Sequence, residues 1–206
     1  MPPSIRKDNL SYEDWFTPMR ERGSALVKNH IRFLPYLHRL AETANPFTEC
    51  LALHIRHSDK ANRRRKIPVQ RFLPYVQAYM EEKQKVWKDK NFAIYLATDS
   101  HHVLTKINEE WPSEILDQLQ WQKQAVRSND TTPVFTLSPH HTTNNEVLVV
   151  IIAMSKCQYL LHGFSAVSEA AHYLNRNLYK KRRSINLELQ NRPSVDHFRA
   201  LVHAEK

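Results

Sequence analysis

Four polar clusters in this chain each follow directly on an apolar run, and their residue types define the chemistry available. The first is the stretch 51–60, Leu-Ala-Leu-His-Ile-Arg-His-Ser-Asp-Lys, which places Arg56, His57, Asp59 and Lys60 within five residues of one another. A guanidinium at the end of a buried strand can bond bidentately to a phosphate; the alternative is an ion pair of Arg56 with Asp59 or Asp99. His54 lies inside the apolar run, where a histidine is either a satisfied core residue or a group beside a ligand. The second cluster is Asp99-Ser100, after the run 92–97. The third is Ser138, His140 and His141, after the run 133–137. The fourth is Gly163-Phe164-Ser165, after 157–161. A strand-to-helix turn of that kind offers backbone N–H groups and a helix dipole to an anion. Ser165 adds a hydroxyl, and the same residue can serve as an N-cap.

The elements that must position these clusters alternate. Helical spacing of Val27, Ile31, Leu34, Leu37 and Leu40 is interrupted by Pro35, which predicts a broken helix or two short ones. Strands are predicted at 50–55, 92–97, 133–137, 157–161 and 185–189. Helices are predicted at 69–87, 102–110, 145–154, 166–176 and 195–204. The segment 116–121 reads as either a short strand or a helix end. The run 145–154 has strand propensity but helical position, with Asn144 or Asn145 as N-cap, and is read as a buried helix. Repeated β-α units predict an α/β fold, a Rossmann-like doubly wound parallel sheet with its βα loops on one edge. Ligands bind at the carboxyl ends of such strands. The expected organisation is an N-terminal helical segment over 1–48 and a Rossmann-like domain over 49–206, which the resemblance given below makes nucleotide-sugar-binding.

Composition narrows the chemistry. The 206 residues carry a net charge of +9, which favours anionic partners. Only two glycines are present, so neither a P-loop nor Gly-x-Gly-x-x-Gly can be written. Cys50 and Cys157 do not make a disulfide scaffold and are expected to be two buried free thiols. No apolar run has the length of a signal peptide or a membrane span. The histidine pairs 101/102 and 140/141 lack metal-ligand spacing, because adjacent side chains point apart, and no metal is expected. The run Arg63-Arg64-Arg65-Lys66 has no interleaved aromatics, so nucleic acid is an unlikely partner and a solvated loop is expected. Residues 163–167 come close to a nucleophile elbow, with Val167 where the closing glycine belongs. Asp196 and His197 or His203 follow in hydrolase order, so serine hydrolase stands as a third reading.

His54-x-Arg56-x-x-Asp59-Lys60, then Tyr95-Leu96-Ala97-Thr98-Asp99, then the apolar helix leading to Cys157–Leu161 and Phe164-Ser165, resemble the α1,6-fucosyltransferase type. That superfamily also holds the Nod-factor and protein O-fucosyltransferases. The resemblance runs from about residue 27 to 178 and implies the C-terminal, donor-binding half of a GT-B-type glycosyltransferase. It implies GDP-fucose as donor substrate, an inverting transfer with no metal and no cofactor, and a glycan or glycoprotein acceptor. It also implies a Golgi or ER lumen location. Arg56 would hold the β-phosphate and neutralise the departing nucleotide. His54 would lie near the nucleotide, and Asp59 and Lys60 would face the sugars. Asp99 with Ser100 would position the donor, and Phe164 and Ser165 would meet a phosphate. Two features depart from the family: Arg56-His57 replaces paired arginines, and the stretch 61–66 lacks the carboxylate that serves as base. The base is therefore unassigned, with Asp59 the only acid nearby. The alternative reading is a non-catalytic basic binding module that retains the fold.

Overall fold

The computed structural model describes residues 12–57, 66–86, 92–129, 132, 134–137 and 140–204. The core element is β1 (Cys50–Ile55), whose six residues are all buried. Burial on both faces is what a central strand of a parallel sheet requires. Around it stand β2 (Ala93–Thr98), β3 (Leu119–Gln120), β4 (Tyr159–His162) and β5 (Ser184–Asn186), in the order β3-β2-β1-β4-β5, with every pairing parallel. The chain steps outward from β1 through β2 to β3, then crosses to the free edge of β1 to lay down β4 and β5. The crevice of a doubly wound sheet opens where that direction reverses, here between the carboxyl ends of β1 and β4.

The helices are α1 (Tyr12–His30), α2 (Pro35–Ala44), α3 (Leu73–Val86), α4 (His101–Glu110), α5 (Ser113–Leu116), α6 (His140–Lys156), α7 (Ala166–Leu174), α8 (Asn177–Lys180) and α9 (Val195–His203). Alternation along the strands sorts the core into two layers. Leu51, Leu53, Ile94, Leu96 and Leu161 pack under α3, α4, α5 and α9. Cys50, Ala52, Ala93 and Ala97 meet α2, α6 and α7, with Ala153 among the α6 residues buried there. Small side chains on that second face let α6 approach the sheet closely. The second half of α6, from Val147 to Met154, is apolar on nearly all sides because neighbours cover it, which is why residues of high strand propensity are helical here.

Most predicted elements are present, with three differences. The stretch 69–87 is a 3-10 turn at Val69–Arg71 followed by α3, with Pro74 tolerated in its first turn. The segment 133–137 is not a strand: Val134–Thr136 forms a 3-10 turn. The edge place beside β2 is already taken by β3, where Ile94 and Tyr95 pair with Leu119 and Gln120, and Val134 becomes a cleft wall instead. The last strand is Ser184–Asn186: it starts one residue early, and residues 187–189 of the expected run 185–189 are not strand.

The expectation of free thiols is also corrected. Cys50 and Cys157 form a buried disulfide with Cα atoms 4.7 Å apart, across a sequence separation of 107. The β1–β4 register sets Leu51 beside Tyr159 and the Gln158 N–H on the Cys50 carbonyl, which brings Cys50 within reach of Cys157. Closing so long a loop removes conformational entropy from the unfolded chain. The double variant Cys50→Ala/Cys157→Ala should lose about 2–5 kcal/mol of stability. The urea midpoint checks this, and wild type in excess reductant should show a comparable shift.

Candidate functional site

Arg56 follows β1 by one residue and is part-exposed at the crevice. Its Nε lies 3.6 Å from Asp99 Oδ2, and Asp99 in turn follows β2. Asp99 Oδ1 accepts a hydrogen bond of 2.9 Å from the His57 backbone N–H. One carboxylate therefore straps two adjacent strand ends and orients the guanidinium. The ion pair anticipated for Arg56 with Asp99 is present. Both side chains remain accessible, at 30% and 23% exposure, so the pair itself adds little stability. Asp59 and Lys60 lie outside the described residues, as do Arg63–Arg65 and Ser138.

The two histidines of the motif divide their work. His57 is buried, and its Nε2 lies 2.8 Å from the Ile67 carbonyl. Burial pushes its imidazole below the ordinary value, so the neutral ring donates from Nε2. His54 Nδ1 shares a hydrogen bond of 2.6 Å with Ser168 Oγ of α7. It is a satisfied core residue, yet its ring also lines the crevice.

Across the switch point, Ser165 caps α7, its Oγ accepting from the Val167 N–H at 3.2 Å. The capping reading of Ser165 therefore holds. The Phe164 N–H donates to Glu188 Oε1 at 2.7 Å, and the Phe164 ring meets Tyr12 edge-on, with centroids 5.0 Å apart. Gly163 is needed here, because a Cβ would collide with the Glu188 carboxylate and come within 2.7 Å of Ile67 Cδ1.

Two spaces open at this edge. A small cavity of about 10 Å³ is enclosed by His54, Arg56, Gly163 and Ser165. Beside it a cleft of about 140 Å³ carries Arg56 and Asp99 at its polar end and Val126, Val134 and Val147 as walls. Glu146 lines the same cleft, and its Oε2 accepts from the Val126 N–H at 3.1 Å. Buried Arg127 donates to the Ala125 and Gln122 carbonyls at 3.0 and 2.6 Å, fixing the turn that presents Ala125 and Val126. A cation beside an apolar slot suits an anionic ligand carrying a planar ring.

Not every predicted residue reaches this edge. Ser100 is buried under the segment 126–129, where Ser128 N–H donates to Asp99 O and His101 N–H to Ser128 O, both at 2.9 Å. His140 and His141 open α6 instead of ending a strand, and His141 lines the groove between α2 and α6. The hydrolase arrangement is absent as well. His197 and His203 ride on α9, on the layer opposite α7, and His203 Nδ1 lies 2.9 Å from Glu82. Among the described residues no three His, Cys, Asp or Glu side chains stand together as metal ligands, and no helix is long and apolar enough to cross a membrane.

Sequence reasoning missed Glu188, Glu146 and Ser168, because none belongs to a motif and each reaches the edge only through strand order. It also missed the buried chain behind the site. Arg20, 1% exposed, donates to Glu169 at 2.8 and 3.0 Å and to Glu13 at 2.5 Å. His172 Nδ1 stands 3.5 Å from Glu169, and its Nε2 is 2.7 Å from Ser184 Oγ. Ser184 Oγ lies 3.0 Å from His162 Nε2, and His162 Nδ1 lies 2.8 Å from the Gly163 carbonyl.

No protein-family profile and no curated protein matches the sequence. Among solved structures the chain is similar to that of NodZ α-1,6-fucosyltransferase soaked with GDP-fucose. The identity is 15%, covering 93% of this chain and 67% of that one, with a TM-score of 0.44. A structure of the fucosyltransferase NodZ from Bradyrhizobium gives 14% identity, the same coverage and a TM-score of 0.42. The likeness is one of fold.

Burial holds the His162 and His172 rings neutral, below their ordinary value of 6.5. Burial also pushes the Glu169 carboxyl upward, but the His172 ring and the Arg20 guanidinium outweigh it and hold the group at about 2. The unfolded chain therefore takes up protons on these groups before the native state does, and stability falls with pH. Thermal melts should show a constant Tm above about pH 7. The decline should begin near 6.5, as unfolded histidines charge, and steepen below 4.5, where unfolded Glu169 protonates. An unchanged Tm between pH 7 and pH 5 would contradict this account.

Proposed function

We propose that this chain is the donor-binding half of a GDP-fucose-dependent glycosyltransferase acting without a metal on a glycan or protein hydroxyl. The observation that carries the reading is Arg56, held by Asp99 at the switch point of a parallel sheet, facing the loop that leads into α7. The diphosphate of a nucleotide sugar bridges these two features, with the guanidinium on the β-phosphate and the start of α7 beside it. The base lies in the valine-walled cleft next to Arg56. Fucose as the sugar rests on the resemblance of the His54-x-Arg56-x-x-Asp59-Lys60 motif.

In the transfer the acceptor oxygen attacks the anomeric carbon from the face opposite the phosphate. The carbon–oxygen bond to the β-phosphate breaks and its electron pair leaves with the nucleotide. Arg56 stabilises the charge that grows on that phosphate, an interaction stronger in the transition state than in the bound donor. The resemblance assigns Asp59 and Lys60 to the sugars, and the helical segment before β1 precedes the donor domain. Disulfides persist in oxidising compartments, so the Cys50–Cys157 bridge fits maturation in the ER or Golgi lumen.

Calorimetry with GDP tests the reading. Wild type should bind, and Arg56→Ala should weaken binding by roughly 10- to 100-fold, as expected when charge-assisted bonds worth about 1.5–3 kcal/mol are lost. No heat at millimolar GDP would overturn it. Binding of GDP without sugar transfer would favour the basic binding module instead.

A further inference from the structure

Transfer of a sugar to a hydroxyl releases a proton, and a base within hydrogen-bond reach of that hydroxyl must take it. Carboxylates described at the carboxyl edge of the sheet include Asp99, Glu146 and Glu188, and Glu169 in the first turn of α7 is committed to Arg20. Asp99 is committed to the His57 N–H and to Arg56. Glu146 stands among the valine walls of the cleft, the side taken above by the nucleotide's base, away from the sugar. Glu188 stands on the opposite flank, just past β5, and is part-exposed.

We propose that Glu188 is the general base of the site, the carboxylate that the basic stretch 61–66 does not supply. The inference rests on the donor-binding reading above. Register places it: His54, His162 and Asn186 form one row across β1, β4 and β5. Arg56 and Glu188 each follow that row by two residues. They therefore flank the turn of Gly163 and Phe164, and the Phe164 N–H bonds the Glu188 carboxylate. A phosphate on Arg56 then leaves its sugar over the loop after β4 and the attacked carbon on the Glu188 side.

The carboxylate is built into place. Phe164 N–H fixes Oε1 at 2.7 Å, and the Glu188 N–H donates to Asn186 Oδ1 at 3.0 Å. One of the chain's two glycines, Gly163, gives up its side-chain volume to this carboxylate and to Ile67. In the step, Glu188 takes the hydroxyl proton as the acceptor oxygen bonds to the anomeric carbon, and the bond to the β-phosphate breaks with its electron pair going to GDP. With water as acceptor the products are free sugar and GDP.

Release of GDP from GDP-fucose in water therefore tests the proposal. Glu188→Gln keeps an oxygen for the Phe164 N–H while removing the basicity. It should lower release by about 100-fold or more, with GDP affinity and Tm unchanged. Formate, a free carboxylate, should partly restore release in Glu188→Ala. Wild-type release rates in Glu188→Gln, with GDP binding intact, overturn this proposal alone. So does a wild type that binds GDP and releases none from the sugar nucleotide. A wild type that binds no GDP overturns the donor-binding reading, and this proposal falls with it.

Discussion

The pairing of β4 with β1 is the constraint on which the rest of this structure depends. Four rungs, from Leu51–Tyr159 to His54–His162, bring the second half of the chain back to the edge of the first strand. Parallel neighbours need a crossover to achieve this, and here the crossover includes α6 against the alanine face of the sheet. Three consequences follow from the one pairing. The cysteines at its start meet as a disulfide, Arg56 faces Gly163 and Ser165 at its end, and a crevice opens between them.

Behind that crevice, charge is buried in a connected path and not singly. Arg20 is satisfied by two carboxylates, and from Glu169 the path continues through His172, Ser184 and His162 to the Gly163 carbonyl. An unpaired buried charge is expensive, whereas a chain of partners rigidifies its surroundings. The path ties α1 to α7 and to the ends of β4 and β5. It therefore fixes the loop on which both the α7 N-terminus and Glu188 depend. Packing of Tyr12 on Phe164 adds an apolar contact to the same junction.

Electrostatics at the edge are arranged by strand order. A chain of net charge +9 presents Arg56 with one carboxylate strap, while Glu146 and Glu188 stand on either side. Each of these two acids accepts a backbone N–H, which sets its orientation without neutralising it. A cation flanked by oriented acids makes an anion site bordered by hydrogen-bond acceptors.

What the sequence determined by itself was local. Apolar runs ending in polar residues located β1, β2 and β4 and the loops after them, because a doubly covered strand must be apolar and its loop need not be. Pro35, Asn45-Pro46 and Ser165 marked helix ends through backbone chemistry that acts over a few residues. The place of Arg56 at the crevice was legible because it stands one residue past a buried apolar run. Tertiary structure alone decided what depends on which strands are neighbours. The disulfide, the burial of Ser100, the use of Val134 as a wall rather than a strand, and the arrival of Glu188 beside Phe164 all join residues far apart in the chain. No local pattern encodes those distances: they follow from the order β3-β2-β1-β4-β5, which is set by how two apolar faces are covered at once.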